Sequence, residues 1–334
     1  MDQPSQSSTL PRIAVVLPCY RVTKHILDVI RTIPPQVAGI FVVDDHCPEG
    51  SGDLVQTQAA DPRIVVIRHE QNLGVGGAVL TGYAAADQAG FDVFVKMDGD
   101  GQMDSAYLNR LINPILSRSA DYTKGNRFFD LEALQTMPSV RRFGNFALTL
   151  LTKAASGYWH ISDPTNGYTA IHRQAYRLIA TAPLARGYFF ETSMLINLNI
   201  VRAVAVDIPI PARYRNESSS LRVGRVLVSF PMRLIAGLLR RIIWRYYIYD
   251  VNAVSILLPF SILFMGGGAA FGLDRWIIGA IAGIPQTPGT VAIALLPIIV
   301  GFMMFMQALL MDFTDSAKMP VCRLLDDTHP ATGS

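Results

Sequence analysis

The sequence predicts an α/β fold with a mostly parallel sheet, followed by amphipathic helices and two membrane-spanning helices. Three observations carry that expectation. Short β-branched apolar runs alternate with helical stretches through the first part of the chain. Polar clusters close these runs at the same end. The 334 residues are 50% hydrophobic and only 16% charged, with a mean hydropathy of +0.29, and the apolar excess lies after Asp250. Ordinary soluble domains are less apolar than this.

Residues 13–17 form the first continuous apolar run and end at Pro18; 40–43 form the second and end at Asp44-Asp45; 64–67 and 93–97 form the third and fourth. Uninterrupted β-branched runs are the pattern of strands buried on both faces of a parallel sheet. Helical stretches are expected at about 23–33, 51–60 and 75–89, which gives the βαβ alternation of an open sheet. Farther on, 105–118 reads as a helix, 120–126 as a strand ending at Arg127, 139–156 as a long helix and 204–210 as a short strand. Asp163-Pro164-Thr165-Asn166-Gly167-Tyr168 is a turn signal.

From Leu221 to Tyr249 there are six arginines and no acidic residue, with apolar residues at helical spacing and a Trp244/Tyr246/Tyr247/Tyr249 cluster at the end. Such a stretch is expected to lie in a membrane interface. Residues 251–273 carry no charge and are long enough to span a bilayer; 291–311 supply a second span after a Pro285–Gly289 loop. The arginine-rich flank places both termini on the cytoplasmic side of the cytoplasmic membrane. Gly266-Gly267-Gly268 in the first span permits close helix packing and motivates an expected homo-oligomer, a tetramer by guess. The expected organisation is a disordered N-terminus 1–11, a catalytic domain 12–220, juxtamembrane helices 221–250, spans 251–273 and 291–311, and a cytoplasmic tail 312–334.

Composition excludes some classes. A net charge of +3 gives no basic footprint for nucleic acid. Cys19, Cys47 and Cys322 have neither metal spacing nor a disulfide count, which suits a reducing compartment. The polar start of the chain has no signal-peptide pattern.

The most informative stretch is Asp98-Gly99-Asp100-Gly101-Gln102, at the end of the fourth predicted strand. Residues i and i+2 of an extended segment point the same way, so both carboxylates can face one site. Two readings of these five residues stand: an acidic turn, or a grip for Mg2+ or Mn2+ on a diphosphate. Ligands bind open α/β sheets at the carboxyl ends of strands. Pro18-Cys19-Tyr20, Asp44-Asp45 and Asp98–Gln102 all fall there, which favours the grip. Asn72-Leu73-Gly74-Val75-Gly76-Gly77-Ala78 invites a dinucleotide-fold reading, but Val79 replaces the third glycine and the stretch follows the third strand, not the first. Small residues here are expected to let a helix begin close beside a nucleotide or sugar.

Together, Val16–Tyr20, Val42–Asp45, Asn72–Ala78 and Met97–Gln102, with Gly125-Asn126-Arg127 more loosely, resemble family 2 glycosyltransferases of GT-A fold, in particular the polyprenyl-phosphate (dolichol-phosphate-type) glycosyl synthases. The resemblance covers about residues 12 to 225. It implies that Pro18 and Tyr20 line the nucleotide base, that Asp44 or Asp45 bonds the base or ribose, and that Gly74 lies at the nucleotide. It implies that Asp98 contacts ribose or metal and that Asp100 and Gln102 ligate the metal. Arg127, Arg141 and Arg142 fall where the family places phosphate-binding arginines, and Arg213, Arg215 and Arg222 form a second basic loop. Glu191 and Asp163 are further carboxylates at matched positions that would orient the sugar or the acceptor loop. Arg21 stands where an acidic residue usually follows the tyrosine.

The expected activity is transfer of a sugar from a nucleotide diphosphate donor, UDP favoured over GDP, to polyprenyl (undecaprenyl) phosphate, with membrane lipid as surroundings. Asp98, Asp100, Arg127 and Glu191 would form the catalytic set. A processive polysaccharide synthase is the chemical rival, but its Gln-x-x-Arg-Trp motif is absent, since Arg240–Trp244 lacks the Gln. A non-catalytic nucleotide-sugar-binding scaffold is the rival of another class; intact Asp98, Asp100 and Gln102 argue against it.

Overall fold

The computed structural model describes residues 10–129, 139–211 and 223–328. The chain forms two compact units, Met1–Arg241 with Ala317–Ser334, and Ile242–Ser316. The expected N-terminal disorder falls mostly on residues outside the described set.

In the first unit, strands β1 (Ile13–Cys19), β2 (Val37–Asp44), β3 (Ile64–Arg68), β4 (Val93–Lys96), β5 (Tyr122–Asn126), β6 (Thr169–His172) and β7 (Ala205–Pro209) make one sheet in the order β3-β2-β1-β4-β6-β5-β7. β1 to β4 pair in parallel and β5 pairs in parallel with β7; β6 runs antiparallel to both β4 and β5. Every residue of β1 is buried, as an unbroken apolar run requires. Side chains alternate between the two faces. Val15 and Leu17 pack with Ile26, Ile30 and Leu111, from α1 (Ile26–Thr32) and α4 (Leu108–Leu116). Ala14 and Val16 pack with Val79, Tyr83, Tyr176 and Leu195 from α3 (Val75–Gln88), α6 (Arg173–Ile179) and α7 (Phe190–Ile200). Helices therefore cover both faces. Further helices of this unit are α2 (Ser51–Gln58), α5 (Ser139–Ser156) and α8 (Val223–Ile243), whose last two residues belong to the second unit.

Three features depart from the sequence expectation. β6, α6 and α7 had no counterpart in it. β6 is only four residues long, Thr-Ala-Ile-His, and sits inside the sheet with reversed direction. The basic stretch 221–249 is not wholly an exposed face. Arg241 is 1% exposed and donates from Nε to the Ala155 carbonyl (3.1 Å) and from Nη2 to the Ala154 carbonyl (3.1 Å), closing the C-terminal end of α5. The segment beyond the apolar helices is more than a tail: α11 (Val321–Thr328) belongs to the first unit. Its start is held by Asp121, a fully buried carboxylate that accepts the amides of Val321 (2.8 Å), Cys322 (2.9 Å) and Val204 (2.8 Å).

The second unit is an apolar hairpin of α9 (Ala253–Ala282) and α10 (Pro288–Thr314) after a wide helical turn over Trp244–Tyr249. Asn252 and Ser255 form a reciprocal cap on α9, while Thr287 caps α10 with Pro288 in its first turn. α9 passes through Asp274-Arg275 instead of ending at 273. Its 30 residues reach about 45 Å at 1.5 Å each, so a hydrocarbon layer of about 30 Å leaves room for a charged pair near one end. Gly268 lies against the Ala294 carbonyl and Gly301 against the Ser261 carbonyl, so a side chain at either position would part the helices. Gly268 thus serves packing within the hairpin. Arg245 is buried at its base and bonds the Asp315 carboxylate (2.8 Å) and carbonyl (2.7 Å), and Tyr246 bonds Asp312 (2.5 Å).

Removing a carboxylate that satisfies three buried amides leaves the desolvation cost of those donors. Asp121→Ala is expected to lower stability by roughly 3 kcal/mol, read as a shift in the denaturant midpoint of the purified protein.

Candidate active site

Parallel register brings the polar strand ends together. Cys19 lies beside Asp44 and Val16 beside Lys96. The segments following β1, β2 and β4, which carry Tyr20, Asp45 and Asp98–Gln102, therefore share one sheet edge, as the sequence predicts. Asp98, Asp100 and Gln102 line a cleft of about 170 Å³ together with Arg127 and the loop 165–168. The cleft thus joins the expected metal residues to one of the expected phosphate arginines.

The element beneath the cleft that the sequence did not reveal is Lys96. Its ammonium is 2% exposed and lies 2.9 Å from Asp98 Oδ1 and 3.1 Å from Glu191 Oε1. Burial alone would lower its pKa, but Asp98 and Glu191 outweigh that and hold it above the ordinary lysine value. Gly167 makes this possible. A Cβ there would collide with Lys96 Nζ and stand 3.0 Å from Asp98 Oδ2. Lys96 reads in sequence as one polar residue in an apolar strand, and that interruption was the available signal.

Arg127 is fixed by Asp163, which is fully buried. Asp163 accepts Arg127 Nε (2.8 Å), Nη2 (3.1 Å) and the Arg127 amide (3.2 Å), and also the Thr165 hydroxyl (3.3 Å). The forked pairing fixes the plane of the guanidinium. Asn166 Oδ1 accepts the Tyr168 amide (2.9 Å), and the Tyr168 carbonyl takes the Gly125 amide (2.8 Å). The turn signal at 163–168 is thus a braced wall of the cleft.

Two expected nucleotide contacts also have internal duties. Asp44, 6% exposed, accepts the amides of Cys47 and Gly52 (both 2.7 Å) and shapes the turn into α2. Asp45, 3% exposed, accepts the amides of Leu73 (2.7 Å) and Gly74 (2.8 Å) and bonds His69 Nδ1 (2.7 Å). Gly74, placed at the nucleotide by the resemblance, spends its amide on Asp45 and takes φ +82°, a region glycine enters readily. The amides of Gly76 and Gly77 go to the Arg186 carbonyl (2.7 and 3.2 Å), and the Ala185 carbonyl leaves no room for a Cβ on Gly76. The small residues therefore let α3 approach the chain at 185–187 closely. Pro18 is buried at the end of β1, whereas Tyr20 is 44% exposed with the Arg21 guanidinium 5.4 Å from its ring centre.

Arg213, Arg215 and Arg222 lie outside the described residues. Arg141 and Arg142 lie in α5, with side chains outside the described set.

The described residues contain no cluster of three His, Cys, Asp or Glu side chains able to cage a metal. The cleft does offer hard oxygen donors on one wall, the chemistry that divalent Mg2+ or Mn2+ prefers. A cation there would have to share its coordination with a ligand's phosphate oxygens. The Lys96 ammonium on Asp98 disfavours a second cation on the same oxygen, so Asp100 and Gln102 are the better-placed donors.

An open α/β sheet with helices on both faces and an acidic cleft at its carboxyl edge is the architecture of a nucleotide-sugar transferase. Residues 14–179 match the family described as Glycosyl transferase family 2. The chain is 26% identical over 232 residues to the UDP-N-acetylglucosamine–dolichyl-phosphate N-acetylglucosaminyltransferase of Methanococcus voltae, spanning 65% of this chain and 92% of that one. It is 28% identical to the undecaprenyl-phosphate mannosyltransferase of Micrococcus luteus (65% and 89%) and 29% identical to the polyprenol monophosphomannose synthase of Mycolicibacterium smegmatis (58% and 74%). The crystal structure of Mycobacterium tuberculosis glucosyl-3-phosphoglycerate synthase shares the fold, with a TM-score of 0.50, 22% identity, and 69% of this chain and 80% of that one covered. The chain carries a family 2 glycosyltransferase domain of GT-A fold and is a glycosyltransferase.

Gly167→Ala drives a methyl group into Lys96 and Asp98. Glycosyl transfer is expected to fall by about tenfold or more through misplacement of the Asp98 wall, measured as kcat/KM for the donor against the parent protein.

Proposed function

We propose that this protein is a membrane-anchored, inverting glycosyltransferase that moves a sugar from a nucleoside diphosphate sugar, UDP favoured, onto a polyprenyl phosphate. The observation that carries this reading is the cleft itself: Asp98, Asp100 and Gln102 line one cavity together with the braced Arg127. The relatives named as transferases to dolichyl, undecaprenyl and polyprenol phosphates support the acceptor class.

The donor's diphosphate lies along Asp100 and Gln102, with Asp98 held by Lys96 as an acceptor for ribose hydroxyls. A divalent cation bound there would neutralise charge on the departing diphosphate. Arg127, its plane fixed by Asp163, holds the acceptor phosphate, and Arg141, Arg142, Arg215 and Arg222 are proposed to add to that basic surface. An oxygen of the lipid phosphate attacks the anomeric carbon as the bond to the nucleoside diphosphate breaks, and the electron pair leaves with the diphosphate. A phosphate monoester is already ionised at neutral pH, so no proton has to be removed. Glu191, expected in the catalytic set, is 12% exposed and paired with Lys96. It acts through Lys96 to steady Asp98. Pro18 and Tyr20 remain the proposed walls of the base site, with Asp44 and Asp45 shaping the loops behind them.

Membrane anchoring rests on two helices of mean hydropathy 1.9 and 2.3 whose apolar side chains are largely exposed, only 22% and 11% of their most apolar stretches being buried. Ile262, Leu263, Leu296 and Met303 are each more than half exposed. Lipid tails are the surroundings that such side chains suit. The chain leaves the first unit after Arg241 and rejoins it at Ala317, which supports an even number of crossings, with the catalytic unit on the cytoplasmic face.

Asp100→Asn removes the charged donor on the diphosphate wall. Transfer to undecaprenyl phosphate from a panel of UDP- and GDP-sugars is expected to drop on the order of 10²-fold even in excess Mg2+ or Mn2+. Near-normal turnover would dismiss the metal role.

A further inference from the structure

Beneath the acceptor side of the cleft lies a second buried lysine that the reaction does not use directly. Lys124, on β5, is fully buried, and its ammonium donates to the main-chain carbonyl of Asn166. The charged groups that face it are Glu191 on α7, Asp163 on the cleft loop, Lys96 on β4 and Asp207 on β7. A buried cation is expensive to keep, and an apolar side chain would fill the same space at lower cost. The Asn166 carbonyl lies in the middle of the 163–168 wall, between Asp163, which aims Arg127, and Tyr168, whose carbonyl takes the amide of Gly125. Two consecutive residues of β5 therefore hold this wall from below. The Gly125 hold is a neutral amide; the Lys124 hold is a charge.

We propose that Lys124 is a positioning residue for the acceptor: its ammonium, drawn onto the Asn166 carbonyl, fixes the loop that aims Arg127 and so sets the affinity for the acceptor phosphate more strongly than that for the nucleotide, whose side of the loop Gly167 and the Lys96 pairs also hold. This rests on the reading of a polyprenyl phosphate acceptor. Lys124 also offsets Asp163, Asp207 and Glu191, whose negative charge would otherwise oppose an incoming phosphate.

The role has a pH signature. Burial pulls the Lys124 pKa from 10.5 down to about 8, against the opposing pull of Glu191 and Asp163. The ammonium is present below pH 8 and lost above it, so the hold on the loop weakens as pH rises through that value. Folding has the opposite sign. The unfolded chain keeps this proton up to 10.5, so the group's contribution to stability improves between 8 and 10.5. Weaker acceptor binding in that window is therefore not unfolding by this group. The acceptor's own second proton leaves near pH 6, so its charge is constant there.

The experiment uses the full chain in lipid nanodiscs, with undecaprenyl phosphate and a labelled nucleotide sugar, from pH 6.5 to 9.5. It compares acceptor KM with donor KM and with nucleoside diphosphate Kd by calorimetry. The acceptor KM of the parent protein is expected to rise about tenfold between pH 7 and 9, with nucleotide Kd within about twofold. Lys124→Met is expected to show the raised acceptor KM already at pH 7 and a flat profile. A flat parental profile, a Lys124→Met acceptor KM equal to the parent's at pH 7, or a parallel rise in nucleotide Kd would overturn the role. If the variant does not fold, the parental profile decides alone. Transfer with a flat profile refutes Lys124 only, whereas no transfer to polyprenyl phosphate from any donor refutes the acceptor reading and this role with it.

Discussion

The cleft is organised around one buried cation. Lys96 sits at the end of β4 with Asp98 and Glu191 on either side and the Gly167 main chain above it. Three elements distant in sequence, the β4 strand end, the loop before β6 and the first turn of α7, are tied at a single ammonium. A charge with so little exposure is tolerable only when it is fully paired, so these elements have little freedom to drift apart. The arrangement also divides labour between the paired carboxylates. Asp98 is partly neutralised from within, whereas Asp100, two residues on, accepts the Gln102 amide (2.9 Å) and lines the cleft.

The Arg127 part of the cleft follows the same logic with the charges exchanged. There a buried carboxylate, Asp163, takes the Nε and Nη2 edge of a partly exposed arginine that also lines the cleft. The Asp98–Gln102 side is acidic at its surface with Lys96 beneath it, and the Arg127 side is basic at its surface with Asp163 and Lys124 beneath it. Each buried countercharge limits how far its surface partner can swing. A reaction between two phosphate-bearing substrates gains from such fixed charges, because little reorganisation is left for the moment of transfer.

The parts legible in the sequence were those with a repeating or local signal. Continuous β-branched runs marked β1 to β4, because a strand buried on both faces needs apolar residues at every position, and the gathering of Asp44-Asp45 and Asp98–Gln102 on one edge followed from parallel pairing. The long helix 139–156 and the two apolar helices were legible for the same reason. β6 was not: four residues interrupted by a threonine and ended by a histidine carry no period, and only pairing with β4 and β5 makes them a strand. The contact of Gly76 and Gly77 with the Arg186 carbonyl was not legible, because a glycine needed for approach to a phosphate looks the same in sequence as one needed for approach to a carbonyl. The loop-holding bonds of Asp44 and Asp45 were hidden likewise, since a carboxylate at a strand end can serve a ligand, a loop or both. Arg241 and Arg245 were read as part of a basic face at a membrane interface because arginine is seldom buried, and their carbonyl and carboxylate partners lie 70 or more residues away.

The return of the chain to Asp121 bears on how the molecule is made. The apolar hairpin is, in chain terms, an insertion into the first unit, placed between α8 and the helix whose first amides that aspartate receives. Until residues beyond 320 have been synthesised, one buried carboxylate at the start of β5 has only the Val204 amide among its three main-chain donors, and the patch that receives Val321 stays open. The ribosome must therefore deliver the whole hairpin before the catalytic unit can finish folding. Completion of the enzyme is in this way ordered behind synthesis of its apolar hairpin.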